Sequence, residues 1–314
     1  MSDALLIALA VFGAVVVGLL ALAIIGWFGS EKALKPPPYA EAESFAALAI
    51  NPEEVTFPSK DGLRLNGYYL SGTNGAGLVL CHGYGRSHEE MIPHAAYLNR
   101  EGFSCLVFDQ RSRGLSEGKL VSIGAMERFD VMGAVDHLLT RIEVDPERIG
   151  IFGVSGGAAA ALLATVEDTR LKAVVAEACY RNLRSVIATS FKHFTGLPAF
   201  PFANVTVKMA ELRLGHSVDT LAPERIVAAI APRPILFIHG EDDRAIACEA
   251  SRHMHGLAGE PKELWMIPEA GHAKGLEVAG DEYERRVADF FRHYLVARRD
   301  SAVSGNVAQE VGPA

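Results

Sequence analysis

Ser155 stands in Gly153-Val154-Ser155-Gly156-Gly157, a G-x-S-x-G string. An apolar run, "RIGIFGV", precedes it, and a small-residue stretch, "GGAAAALLAT", follows. A strand that turns directly into a helix strains the residue at the corner, and side chains two positions away would clash, so glycine is used there. The serine hydroxyl is left exposed above the sheet, at the positive end of a helix. A hydroxyl is a poor nucleophile until a base takes its proton. The rest of the chain must therefore supply an imidazole, and a carboxylate to orient it. Behind a strand–serine–helix corner these follow in the order acid, then histidine.

His272, in "PEAGHAKG" after the apolar run "KELWMIP", is the best-placed base. It lies in a loop at the carboxyl edge of a sheet, where ligands bind. The other late histidines fit less well. His193 and His216 fall in an irregular stretch, His239 ends a strand, and His253, His255 and His293 lie on helices. The acid comes from "ILFIHGEDDRAI", which offers Glu241, Asp242 and Asp243. A tight turn at Gly240 brings the third residue back over the edge, which selects Asp243, with Asp242 as the fallback. A developing oxyanion needs donors. The backbone N–H of Gly156 faces the required space, and the glycines of "LCHGYGRS" let the N–H of Tyr84 face it too. His82 precedes the serine, ends a strand and reads as structural.

The elements that must hold these residues are legible as alternating runs. "EVTFPS" and "LRLNGYYLS", joined by "KDG", read as a hairpin. Continuous apolar strands then alternate with amphipathic helices, which indicates a parallel sheet covered on both faces. The alternation pauses over residues 180–230. Sequence alone divides the chain into an apolar anchor (4–28), a linker (29–53) with the stiff "KPPPYA" and a short helix near 41–50, a catalytic domain (54–299) with an insert at 180–230, and a disordered tail (300–314).

Ala4 to Phe28 contains no charge. A helix of that length is roughly 37 Å long, enough to cross a hydrocarbon core of about 30 Å. A cleaved signal peptide is the rival reading, but it wants a basic leader, and only Met1, Ser2 and Asp3 precede the run. Lys32 and Lys35 follow the helix, so the positive-inside rule leaves the catalytic domain in the cytoplasm. Cys81, Cys105, Cys179 and Cys248 show no C-x-x-C spacing and read as free thiols, which suits a reducing compartment. The net charge of -8 argues against a nucleic-acid partner.

No cofactor or metal is expected. "HEEMIPH" lacks the H-E-x-x-H spacing, and His253 and His255 have no nearby partner for a closed site. "GYGRSH" lacks the third glycine of a dinucleotide fingerprint.

Taken together, "HGYG", "FDQRSRGLSEG", "GVSGG", "HGEDD" and "AGH" resemble the α/β-hydrolase superfamily in order and spacing. The resemblance covers roughly residues 54–299 and is closest to bacterial serine hydrolases of the esterase and peptidase-like branches. One departure is Ser112, which stands where the family's D-x-R-G-x-G-x-S segment has its first glycine. The resemblance implies an eight-stranded, mostly parallel sheet and a cap formed by the insert. The cap carries Phe191, Phe194, Phe200 and Phe202, which either line an acyl pocket or form the cap's own core. It further implies hydrolysis of small-molecule acyl esters or thioesters. A serine peptidase, aminopeptidase-like and acting on short peptides, is the alternative, and a non-catalytic membrane-tethered scaffold a third reading.

Overall fold

Side-chain periodicity explains why the sheet forms where it does. Strands β3 (Gly77–Cys81), β4 (Ser104–Phe108), β5 (Ile149–Val154) and β7 (Ile235–Gly240) are buried at every position. Apolar side chains therefore serve both faces, as in a sheet sandwiched between helices. Strand β1 (Glu53–Pro58) alternates exposed and buried positions, as a half-covered edge strand must. In this computed structural model, which describes residues 2–35, 44–188, 196 and 198–297, eight strands form one sheet in the order β1-β2-β4-β3-β5-β6-β7-β8. Here β2 is Arg64–Leu70, β6 Leu171–Glu177 and β8 Lys262–Ile267. The β1–β2 and β2–β4 pairs are antiparallel, and every other pair is parallel.

The longer helices are α1 (Asp3–Leu34), α2 (Ile92–Arg100), α3 (Glu127–Leu138), α4 (Gly156–Glu167), α5 (Ala199–Leu214, kinked at Phe200), α6 (Glu249–Leu257) and α7 (Gly275–Phe291). Helix α4 is buried from Gly156 to Thr165. Its alanines let the axis approach β5 and β6 closely, which centres the serine corner on the sheet. Leu78, Leu80, Phe152 and Phe291 belong to the core on one side of the sheet, and each is wholly buried. Burial of each such side chain contributes about 1.5–3 kcal/mol.

The chain folds as two compact units. One comprises residues 37–181 and 221–314 and contains the whole sheet. The other comprises residues 1–36 and 182–220 and joins α1 to α5. Two details differ from the sequence reading. Helix α1 runs to Leu34, so the first six residues assigned to the linker are helical. The stretch 44–50 forms turns, not a helix. "PPPYA" (36–40), Phe191, Phe194 and the tail lie outside the described residues. Phe200 is 75% exposed, so it forms no core.

Candidate active site

The corner residue adopts the backbone that the glycine pattern foretells. Ser155 has φ 53° and ψ -113°, a region that side chains rarely occupy. The glycines are required by contact. A β-carbon on Gly157 would lie 2.4 Å from the carbonyl oxygens of Cys81 and His82, and one on Gly153 would lie 2.3 Å from the carbonyl oxygen of Gly157. The Ser155 N–H donates to the carbonyl of Glu177 at 2.8 Å, which ties the corner to the end of β6.

His272 and Asp243 arrive from two later loops. The loop after β7 folds back, with the N–H of Asp242 on the carbonyl of Ala270 at 3.0 Å. Asp243 is then fixed by the N–H groups of Ala245 (2.8 Å) and Ile246 (2.9 Å), both donating to Oδ1. Its Oδ2 lies 2.7 Å from His272 Nδ1. His272 Nε2 lies 3.0 Å from Ser155 Oγ. Three side chains separated by up to 117 residues thus form one hydrogen-bonded chain. Burial opposes charge on Asp243, but hydrogen bonds from His239 and His272 outweigh it and hold the carboxyl well below the usual carboxylate range.

The "HGYG" loop passes beside the corner. A β-carbon on Gly83 would lie 3.5 Å from Ser155 Cβ, and one on Gly156 would lie 3.3 Å from the Tyr84 nitrogen. The Tyr84 and Gly156 amides are therefore neighbours. Two interactions hold the loop in place. Glu90 accepts the Gly83 N–H at 2.5 Å, and His82 accepts the Gln110 N–H at 3.0 Å through Nε2. Burial depresses the His82 imidazole to about 4, so it is neutral and serves as an acceptor.

Two groups that sequence reading passed over also belong here. His239 is fully buried, with Nδ1 2.7 Å from Ser251 Oγ and Nε2 3.1 Å from Asp243 Oδ2. Glu177 is buried at the end of β6 and accepts the Gly275 N–H at 3.1 Å and the Tyr283 O–H. Burial raises its carboxyl above the ordinary range, partly offset by these two donors. One residue thus braces both the serine corner, through its carbonyl, and the segment after His272, through its carboxyl. A signal existed for Glu177, a carboxylate ending the apolar strand "LKAVVAE". Among the described residues no cluster of three or more histidines, cysteines or carboxylates is arranged to hold a metal.

Comparison with known proteins decides the family. The model of the prolyl oligopeptidase family matches residues 122–298, more than half of the chain, and spans Ser155, Asp243 and His272. The chain is an α/β-hydrolase of the prolyl oligopeptidase family. The X-Pro dipeptidyl-peptidase (S15) family model also matches this α/β-hydrolase, over residues 34–209. YfhR of Escherichia coli K12 is 29% identical over 245 residues, 76% of this chain and 80% of that protein. Rv2307c of Mycobacterium tuberculosis H37Rv is 28% identical over 249 residues, 78% of this chain and 81% of that protein. The structure of the Pyrococcus furiosus esterase Pf2001 superposes on the α/β-hydrolase with a TM-score of 0.69 and 24% identity, covering 83% of this chain and 99% of the other. That likeness establishes the fold.

Proposed function

We propose that this hydrolase cleaves carboxylic esters or thioesters through an acyl-serine intermediate. The observation that carries the reading is the 3.0 Å approach of His272 Nε2 to Ser155 Oγ, with Asp243 2.7 Å behind the imidazole. His272 takes the Ser155 proton as Oγ attacks the carbonyl carbon. Asp243 accepts from Nδ1, fixes the tautomer and stabilises the imidazolium. The Tyr84 and Gly156 N–H groups donate to the oxyanion. Collapse of the tetrahedral species expels the alcohol or thiol, which takes the proton from His272. Water then attacks the acyl group with His272 again as base.

Support for the thioester arm comes from the thiohydrolase aneE of Aspergillus aculeatus, which is 39% identical over 126 residues, 39% of this chain. A second reading, a serine peptidase with the same groups, is favoured by the names of both matching families. Turnover of p-nitrophenyl esters, acyl thioesters and Xaa-Pro amides by the purified full chain separates them. The proposal expects esters or thioesters to exceed amides in kcat/KM. The reverse order establishes the peptidase, and turnover of none leaves the scaffold reading.

Helix α1 supports a membrane anchor, with the sheet-bearing domain on the cytoplasmic side. It is long and apolar enough to cross a bilayer, and Lys32 and Lys35 mark one end.

A further inference from the structure

We propose that the start of α5 is a second membrane-contact element, with residues 198–205 entering the lipid leaflet through which α1 emerges. The proposal rests on the anchor reading above and adds the position of the insert to it.

Residues 3–21 of α1 are all exposed. From Leu22 onward one stripe is covered: Leu22, Ile25, Gly26, Gly29, Ser30, Ala33 and Leu34. The covering helix is α5. A β-carbon on Gly26 would lie 2.6 Å from Val205 Cγ1, and one on Gly29 would lie 2.5 Å from Thr206 Oγ1. The two backbones approach this closely because glycine stands at both positions. Further along, Arg213 donates to Ser30 Oγ at 3.0 Å and to Glu31 at 2.5 Å, and its guanidinium lies over the Trp27 ring at 4.8 Å. Both helices therefore run in the same sense, and the N-terminal end of α5 points down the apolar span.

The charge boundaries of the two helices coincide. After Asp3, α1 carries no charge until Glu31. Residues 198–205 of the insert, "PAFPFANV", also carry none, and its first charge after them is Lys208. With Val205 against Gly26 and Arg213 against Glu31, the uncharged end of one helix lies beside the uncharged end of the other. Half-covered Leu22 lies about 9 Å inside Phe28, where the uninterrupted apolar run ends. A bilayer that surrounds α1 to the level of Trp27 must then also meet what is fastened to Gly26. Phe200, 75% exposed, stands at a kink at the start of α5, five residues before Val205. Its apolar ring and the charged groups at the other end of α5 suit the depth gradient of a lipid interface.

The test uses the full chain in phosphatidylcholine vesicles with an environment-sensitive fluorophore on single introduced cysteines, in a Cys248→Ser background, and doxyl-labelled lipid as quencher. Val17→Cys reports the anchor, Ile142→Cys the aqueous surface, and Phe200→Cys the proposed contact. Asn204→Cys, exposed one turn along, is a second reporter should the Phe200 change disturb the fold. The expected result is a blue-shifted, quenched signal at 200 or 204, comparable with that at 17, while 142 stays unquenched. Quenching at 17 with 200 and 204 behaving like 142 overturns the proposal and leaves the anchor standing. Absence of quenching at all four positions overturns both.

Discussion

His239 and Asp243 meet at 3.1 Å, through the same carboxylate oxygen that His272 reaches at 2.7 Å. Asp243 is thus held between two imidazoles. His239 Nε2 faces two acceptors, Asp243 Oδ2 and the Ile246 carbonyl at 3.0 Å, so in the neutral ring it carries the hydrogen and Nδ1 accepts from the Ser251 hydroxyl. Replacing His239 with Leu should let the carboxylate rotate away from His272. The expected outcome is a fall in kcat on the order of tenfold to a hundredfold with KM nearly unchanged, because orientation is lost and substrate contacts are not. Steady-state kinetics check this. A rise in KM at constant kcat would contradict it.

Glu177 should couple stability to pH. Burial raises its folded-state carboxyl above the ordinary value. Such a group stabilises the fold fully below its unfolded pKa, about 4.3, and that contribution is lost as pH rises through the folded value. Glu177→Gln has no such ionisation. Measured by urea unfolding in detergent micelles, the stability of the variant relative to the parent should improve as pH rises above about 4.3 and level off once the folded-state value is passed. A difference that stays constant with pH would show that Glu177 does not titrate in this way.

Ser112 tests the price of a missing glycine. Its φ is 64°, a left-handed backbone, and its hydroxyl donates to the carbonyl of Leu120 at 3.1 Å. Glycine would relieve roughly 1–2 kcal/mol of strain while forfeiting a hydrogen bond of about 1 kcal/mol. Ser112→Gly should therefore be near neutral, whereas Ser112→Ala loses the bond and keeps the strain, and should cost about 1 kcal/mol. Equal unfolding midpoints for the two variants would show that strain at Ser112 is negligible.

The serine corner allows no such latitude. Gly157→Ala would drive a methyl to 2.4 Å from two backbone carbonyls. Neither oxygen is the tip of a flexible side chain, so the loop after β3 must move. A loss of about 1–3 kcal/mol is expected, read as a lower urea midpoint. A midpoint equal to that of the parent would show that this packing is looser than the contacts indicate.

Residues with a local backbone or periodicity signal were legible in the sequence. The eight strands follow from apolar runs between turn signals, and the corner at Ser155 follows from its glycines. Chain order and loop position narrow the choice to His272 and Asp243, and the structure places His272 3.0 Å from Ser155 Oγ with Asp243 2.7 Å behind it. What stayed hidden depends on contacts between distant residues. His239 looked like a strand-end histidine, because nothing in "FIHG" reveals that its ring turns toward Asp243 and Ser251. The pairing of α1 with α5 needs Gly26 to meet Val205, and no periodicity in either helix encodes that partner. The extension of α1 to Leu34 was missed for a similar reason, since the charges after Phe28 end the apolar pattern without ending the helix.

In the proposed reaction His272 makes the Ser155 hydroxyl nucleophilic. A fluorophosphonate probe phosphonylates an activated serine, whose Oγ displaces fluoride from phosphorus, so the decisive measurement is the mass of the labelled peptide after digestion of the full chain. An adduct is expected on the peptide containing Ser155, absent in Ser155→Ala and strongly slowed in His272→Ala. An unlabelled chain, an adduct on another serine, or labelling that survives unchanged in His272→Ala would contradict it.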